Sequence, residues 1–108
     1  MGYSRERLYT RCSFSATAEI VDDSGAGTCA TVTNISYGGC RLLTRRQLPI
    51  GAAITLRIRT ATHFFEATAN VVHSRPEDAG VMFGRIDPPS LLTLREWIEA
   101  AIREGLSA

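Results

Sequence analysis

The sequence predicts a mainly β fold, a six-stranded antiparallel split β-barrel with a C-terminal α-helix. Stretches of alternating apolar and polar residues recur along the chain with turn residues between them, and a helical spacing of apolar residues follows only at the end. Since no helix separates the strands, they must run largely antiparallel, and closing the sheet removes its exposed edges. A chain of 108 residues has the length of one such domain.

The first half of the chain predicts three strands. Apolar and polar residues alternate over 14–20, and β-forming residues dominate 28–35, with a turn-rich stretch at 22–27 between them. Two adjacent glycines then occur within 36–39, where they can adopt the positive φ angles of a tight turn. A third strand over 40–44 completes the hairpin that this turn predicts.

The second half predicts three more strands and then the helix. Alternation marks strands over 54–59 and 65–71, and a sixth strand is expected over 80–86. Asp87 can cap the helix with Pro88 at its first position, and Gly105 can end it. Helical spacing predicts that one face of this helix packs on the barrel through Leu91, Leu94, Ile98 and Ile102.

Composition excludes several classes of protein. Hydrophobic residues make up 44%, charged residues 21% and the formal net charge is +1, which is ordinary for a globular domain and does not indicate a nucleic-acid partner. No apolar run approaches the roughly 20 residues that span a bilayer, and the polar start does not resemble a signal peptide. We therefore expect no membrane insertion and a cytoplasmic location.

The cysteine, histidine and serine residues form no recognisable catalytic or metal-binding motif. Cys12, Cys29 and Cys40 lack metal-ligand spacing and fit a reducing compartment, while His63 and His73 belong to no metal or triad pattern. No Gly-x-Ser-x-Gly elbow or phosphate-binding P-loop occurs. The sequence therefore predicts neither an enzyme nor a bound cofactor or metal.

Two motifs carry functional information. Arg7 and Arg11 form an Arg-x-x-x-Arg segment just before the first predicted strand, and Asn34, Ser36 and Gly39 form an Asn-x-Ser-x-x-Gly motif at the predicted hairpin. In this order they resemble the two motifs of the PilZ domain family. The resemblance continues through the stretches 48–51, 54–59 and 80–83 and the closing helix, and so covers nearly the whole chain.

The resemblance implies that the chain binds the bacterial second messenger cyclic di-GMP. Arg7 and Arg11 would pair with its phosphates or donate two hydrogen bonds to guanine O6 and N7, because a guanidinium is planar and permanently charged. Asn34 and Ser36 would contact guanine or phosphate, and Gly39 would shape the turn so that ligand and backbone approach closely. Many relatives have aspartate at the position of Asn34, whose amide has no negative charge.

The first dozen residues have no clear hydrophobic pattern, and we therefore interpret the chain as two parts with different roles. Residues 1–12 would be a flexible ligand-binding segment, and residues 13–108 would form the barrel with its helix. When ligand binds, charge-assisted contacts of the arginines would fold the segment over the barrel. The rearranged surface would then regulate an unidentified protein effector.

Three alternatives stay open at the level of sequence. The chain could be a PilZ-like interaction module that binds no ligand and contacts proteins through the helix around Trp97 or through an exposed face of the barrel. It could bind single-stranded nucleic acid by stacking on Tyr9, Phe64 and Phe65, although the near-neutral charge argues against this. An enzyme would need an acid–base pair that only folding brings together.

Overall fold

Residues 11–105 are described by the structure, which is a computed structural model. They form six strands followed by one helix, as the sequence predicts. The elements are β1 Cys12–Val21, β2 Gly27–Ile35, β3 Gly39–Thr44, β4 Ala53–Arg59, β5 Phe64–Arg75, β6 Asp78–Ile86 and α1 Pro88–Arg103.

The six strands form one closed barrel. Their order around the barrel is β1-β2-β3-β6-β5-β4, and β1 pairs with both β2 and β4, which closes the sheet. All six pairings are antiparallel. The expectation of a six-stranded antiparallel barrel with a C-terminal helix is therefore confirmed, and closure leaves few strand edges open to other chains.

The core fills the barrel and extends to the contact with α1. Along each strand, alternate side chains point inward because successive residues of a strand face opposite sides of the sheet. Burying this apolar surface is the main favourable contribution to folding. The largest fully buried side chains are Phe65, Ile35, Leu42, Leu56, Ile58, Leu94, Ile98, Val32, Val71 and Cys12.

The start of α1 is fixed by two hydrogen bonds. The Asp87 carboxylate accepts a bond of 2.9 Å from the Ser90 backbone N–H, which satisfies a donor left free in the first helical turn. The Ser90 hydroxyl in turn accepts a bond of 3.0 Å from the backbone N–H of Glu66 on β5. The predicted Asp87 cap is thus confirmed, and it joins the helix to the barrel.

The buried face of α1 differs from the predicted one. Leu94 and Ile98 are buried as expected, but Leu91 and Ile102 are 46% and 50% exposed. Their places are taken by residues one step round the helix, among them Trp97, whose ring lies 4.8 Å from that of Phe14. The bulk of this indole sets the rotation of α1 on the barrel, and spacing alone did not reveal it.

Burial limits the roles considered for two aromatic residues. Trp97 is only 8% exposed and packs against the barrel, so other residues of α1 would have to provide any contact surface of the helix. Phe65 is fully buried and cannot stack on a nucleic-acid base, whereas Phe64 is 43% exposed with the Arg59 guanidinium over its ring. Tyr9 lies outside the described residues.

Candidate functional site

A groove of about 510 Å³ runs across the outer surface of the barrel between the start of β1, the β2–β3 turn and the outer faces of β3, β5 and β6. Four of the five residues that the sequence singled out line it: Arg11, Asn34, Ser36 and Gly39. Arg7 lies outside the described residues. Two motifs that are far apart in the sequence therefore meet at one surface.

Asn34 lies where the regular pairing of two strands is interrupted. β1 pairs Ser13 with Asn34 and then Ala16 with Val32, so both strands are irregular at this point. β2 is also irregular against β3, between Val32 and Asn34. Because a bulge bends a strand and redirects its side chains, these irregularities explain how a residue at the end of β2 comes to line the groove.

Ser36 holds the turn between β2 and β3 in shape. Its hydroxyl accepts a hydrogen bond of 3.2 Å from the Gly38 N–H and donates one of 3.3 Å to the Gly39 carbonyl oxygen. Its backbone N–H donates to the same oxygen at 2.8 Å. Serine is preferred in such turns because its short side chain can bond to its own backbone. Ser36 thus organises one end of the groove.

Gly39 is required for a different reason from the predicted one. The positive φ angles expected for the glycine pair do not occur: among residues 11–105, only Gly25, Gly51 and Gly105 have positive φ. Instead, a Cβ at Gly39 would lie 2.0 Å from the Val81 carbonyl oxygen of β6. Glycine therefore allows the β6 backbone to approach the turn closely, and this contact shapes the groove.

Sequence reasoning missed an ion pair in which Arg41, a residue that lines the groove, takes part. The Arg41 guanidinium donates two hydrogen bonds of 2.7 Å to the two carboxylate oxygens of Asp78. Asp78 keeps only 12% of its side-chain surface exposed, and the Arg41 bonds hold its pKa below the ordinary value. The two residues are 37 positions apart, so only folding reveals the pair.

Exposed apolar side chains accompany the charged ones in the groove. Tyr37, Val72 and Met82 line it with exposed fractions of 39%, 51% and 51%. Apolar surface surrounding a few polar groups is the usual composition of a small-molecule site. The groove therefore offers flat apolar contacts beside guanidinium groups.

The described residues were also compared with the side-chain groupings that bind metals or act as nucleophiles. Within 11–105, no three His, Cys, Asp or Glu side chains come together as a metal site would require. Cys40 lies beside the groove, but burial raises the pKa of its thiol to about 12, which disfavours a thiolate nucleophile. In the same part of the chain, no helix is long and apolar enough to cross a membrane.

Comparison with known proteins identifies the family. The family model described as PilZ domain matches residues 5–100. No curated protein sequence matches the chain significantly.

Solved structures share the fold at low sequence identity. The PilZ domain of YcgR from Escherichia coli, determined with c-di-GMP, is 14% identical with a TM-score of 0.73, over 90% of this chain and 92% of that one. The PilZ domain of CeSA from a cellulose-synthesizing bacterium is 10% identical with a TM-score of 0.65, over 88% and 97%. The inhibitor of motility MotI/DgrA of Bacillus subtilis is 22% identical with a TM-score of 0.69, over 96% of this chain and 52% of that one.

The family match therefore covers most of the chain, and the barrel with its C-terminal helix agrees with the solved PilZ structures. The Arg-x-x-x-Arg segment and the Asn-x-Ser-x-x-Gly turn fall within the matched residues. The chain belongs to the PilZ domain family.

Proposed function

We propose that this PilZ domain is a bacterial receptor that binds cyclic di-GMP in the groove. Arg11, with Arg7 from the preceding segment, would bind the phosphates or guanine O6 and N7. The Asn34 amide would hydrogen-bond to guanine or phosphate, and Ser36 and Gly39 would hold the turn against which the ligand lies. On this proposal the protein is a receptor and performs no catalysis.

One observation carries the proposal. Arg11 precedes β1 and Asn34 lies next to the last residue of β2, yet both residues line the same groove together with the Ser36–Gly39 turn. A guanidinium can bind a phosphate or a guanine edge, and an amide can both donate and accept hydrogen bonds. Convergence of these groups supports recognition of a ligand that carries both phosphates and guanines.

The size and lining of the groove support the same conclusion. Its volume of about 510 Å³ lies within the roughly 300–1,000 Å³ of typical small-molecule sites. Tyr37 and Met82 give flat or flexible apolar surface against which a base can pack. The similar YcgR domain was solved with c-di-GMP, which agrees with this ligand. Because the sequence identity is low, the two proteins are alike in fold alone.

The proposed receptor changes conformation when it binds. Contacts of Arg7 and Arg11 with the ligand would draw the segment that precedes β1 onto the barrel and present a new surface to a protein effector. We assign this receptor to the bacterial cytoplasm, where the free thiols of Cys12, Cys29 and Cys40 would stay reduced.

Isothermal titration of the purified chain with cyclic di-GMP tests the proposal. GMP and cyclic di-AMP serve as ligand controls. Saturable, guanine-specific binding is expected, and Arg11→Ala should weaken it by about tenfold or more, since about 1.4 kcal/mol of lost contact corresponds to tenfold.

Arg95→Ala is the matched variant for this titration. Arg95 lies on α1, where its only described ion pair is with Glu99, and it does not line the groove. Its loss should leave the affinity unchanged. Absence of binding by the unaltered chain at two temperatures, with no competition against a labelled ligand, would remove the receptor proposal.

A module that contacts proteins without ligand is the second candidate. Leu91 and Leu92 at the start of α1 are 46% and 59% exposed, and exposed apolar side chains on one element are typical of contact surfaces. The similar MotI/DgrA structure is that of an inhibitor of motility. A pull-down that captures the same partner with and without cyclic di-GMP, and loses it with Leu91→Ser, would favour this candidate.

A further inference from the structure

The outer face of the barrel brings a histidine beside the Arg41–Asp78 pair. In the sheet, Arg41 on β3 pairs with Gly80 on β6, and Gly80 pairs with His73 on β5. These residues therefore lie in one row across three strands. Gly80 contributes no side chain, and a Cβ there would lie only 3.3 Å from the His73 Nδ1. The glycine thus leaves room for the imidazole in the wall of the groove.

One nitrogen of His73 has an unusual environment. Nε2 is buried and has no hydrogen-bond partner among the described residues. It lies 3.8 Å from the Asp78 Oδ2, just beyond hydrogen-bonding distance, while 43% of the side-chain surface stays exposed. Most buried polar atoms in proteins are hydrogen-bonded, so each exception calls for an explanation. Here the unpaired atom belongs to a residue that lines the candidate site.

Charged groups surround His73 on the neighbouring strands. Asp78 faces it from β6, but both carboxylate oxygens already accept bonds from Arg41 of β3. Arg75 on β5 and Arg11 at the groove add further positive charge, and the Asp78 carboxylate interacts with Arg75 as well as with His73.

An anion bound in the groove would add negative charge near His73. Histidine is the side chain whose charge ordinarily changes between about pH 5 and 8, so a nearby phosphate can favour its protonated form. By thermodynamic reciprocity, a protonated histidine then binds the phosphate more tightly. We propose that His73, which lies beside Asp78, is a further ligand-binding residue of the groove, and that its protonation strengthens binding of the anionic ligand.

This inference rests on the proposed binding of cyclic di-GMP, and it adds that the affinity for this ligand depends on pH. The test is titration of the full chain with cyclic di-GMP at several pH values between about 5.5 and 8, at constant ionic strength. The affinity should rise by at least about fivefold from the highest to the lowest pH. Titrations in two buffers of different ionisation enthalpy should show net proton uptake on binding.

The two histidines of the chain give a matched pair of variants. His73→Gln should lose both the pH dependence and the proton uptake. His63→Gln should keep both, because His63 lies in the β4–β5 loop, where its Nε2 is 2.9 Å from the Glu96 carboxylate, and does not line the groove.

The outcomes separate the two proposals. Binding that is equally tight at every pH, or a pH dependence that survives in His73→Gln, would overturn the role of His73 and leave the receptor intact. No binding at any pH, by the unaltered chain and by His63→Gln alike, would overturn the receptor and this inference together. A variant that binds normally at high pH and gains nothing at low pH is the expected result for His73→Gln.

Discussion

Because Gly39 has no side chain, β3 and β6 can approach each other closely at this residue. β3 begins at this residue and pairs it with Met82 of β6, and the Phe83 N–H donates a bond of 2.8 Å to the Gly38 carbonyl oxygen. The turn that carries Ser36 is thereby pressed against the β6 backbone. Any side chain at Gly39 has to push apart the strands that form the floor of the groove.

We expect Gly39→Ala to destabilise the domain by about 1–3 kcal/mol, because the added methyl group meets the backbone oxygen of Val81 and forces the strands apart. Urea unfolding followed by circular dichroism measures the change. Gly27→Ala is the control, since a Cβ there meets only the end of the flexible Glu19 side chain, and it should cost less than about 0.5 kcal/mol. Equal losses in the two variants would contradict the close approach at Gly39.

Asp78 makes the stability of the folded protein depend on pH in the acid range. The Arg41 hydrogen bonds hold the pKa of Asp78 below its ordinary value of 3.8, so the folded protein binds this proton less readily than the unfolded chain. The stabilisation is therefore complete above about pH 4 and is lost as the pH falls through the lowered pKa. We expect Asp78→Asn to melt a few degrees below the unaltered chain at pH 7.

The difference in Tm between Asp78→Asn and the unaltered chain should narrow on acidification, because both proteins then carry a neutral side chain at position 78. Thermal melts between pH 2 and pH 7 measure it. Asp23→Asn, at an exposed position of the β1–β2 turn, is the control and should melt like the unaltered chain at pH 7. A difference for Asp78→Asn that is the same at every pH would contradict the ion pair as its source.

Sequence motifs predicted some of the residues at the candidate site and missed others. Arg11, Asn34, Ser36 and Gly39 could be singled out because they belong to short motifs with fixed spacing. Arg41, His73 and Asp78 belong to no motif and meet only through the pairing of β6 with β3 and β5. Cross-strand neighbours are set by register, which a single sequence does not specify.

At the scale of elements, periodicity predicted the strands and the helix but not how the helix lies on the barrel. Alternation located the strands because one face of each is buried. The helix cap was readable because Asp87 and Pro88 act locally. The rotation of α1 was not readable, because it depends on Phe14 and Phe65 of two other elements meeting Trp97.

Two leucines on α1 test this rotation. Helical spacing treats Leu91 and Leu94 alike, but Leu94 is fully buried and Leu91 is 46% exposed. We expect Leu94→Ala to cost about 2–5 kcal/mol, from lost burial and the cavity left behind, and Leu91→Ala to stay within about 0.5 kcal/mol. Chemical denaturation measures both. A large loss for Leu91→Ala would mean that α1 is rotated differently on the barrel.

At the scale of the whole molecule, ligand binding and folding are linked, because the groove exists only when the strands of the closed barrel are assembled. The groove is built on β3, β5 and β6, which are consecutive around the barrel, and Arg11, the residue before β1, also lines it. A ligand that contacts these elements binds only the folded chain. Its binding energy is therefore added to the free energy of unfolding.

Thermal unfolding with and without cyclic di-GMP should reveal this link. At a free ligand concentration of about 100 times the Kd, binding adds about 2.7 kcal/mol, which corresponds to a rise in Tm of about 10 °C or more for a domain of this size. Cyclic di-AMP should leave the Tm unchanged, and Arg11→Ala should need about tenfold more cyclic di-GMP for the same rise. A rise of equal size with both dinucleotides would show that the groove binds phosphates without reading guanine. In that case Arg11 would act through its charge alone, and Arg11→Lys would keep the effect that a bidentate contact to guanine would lose.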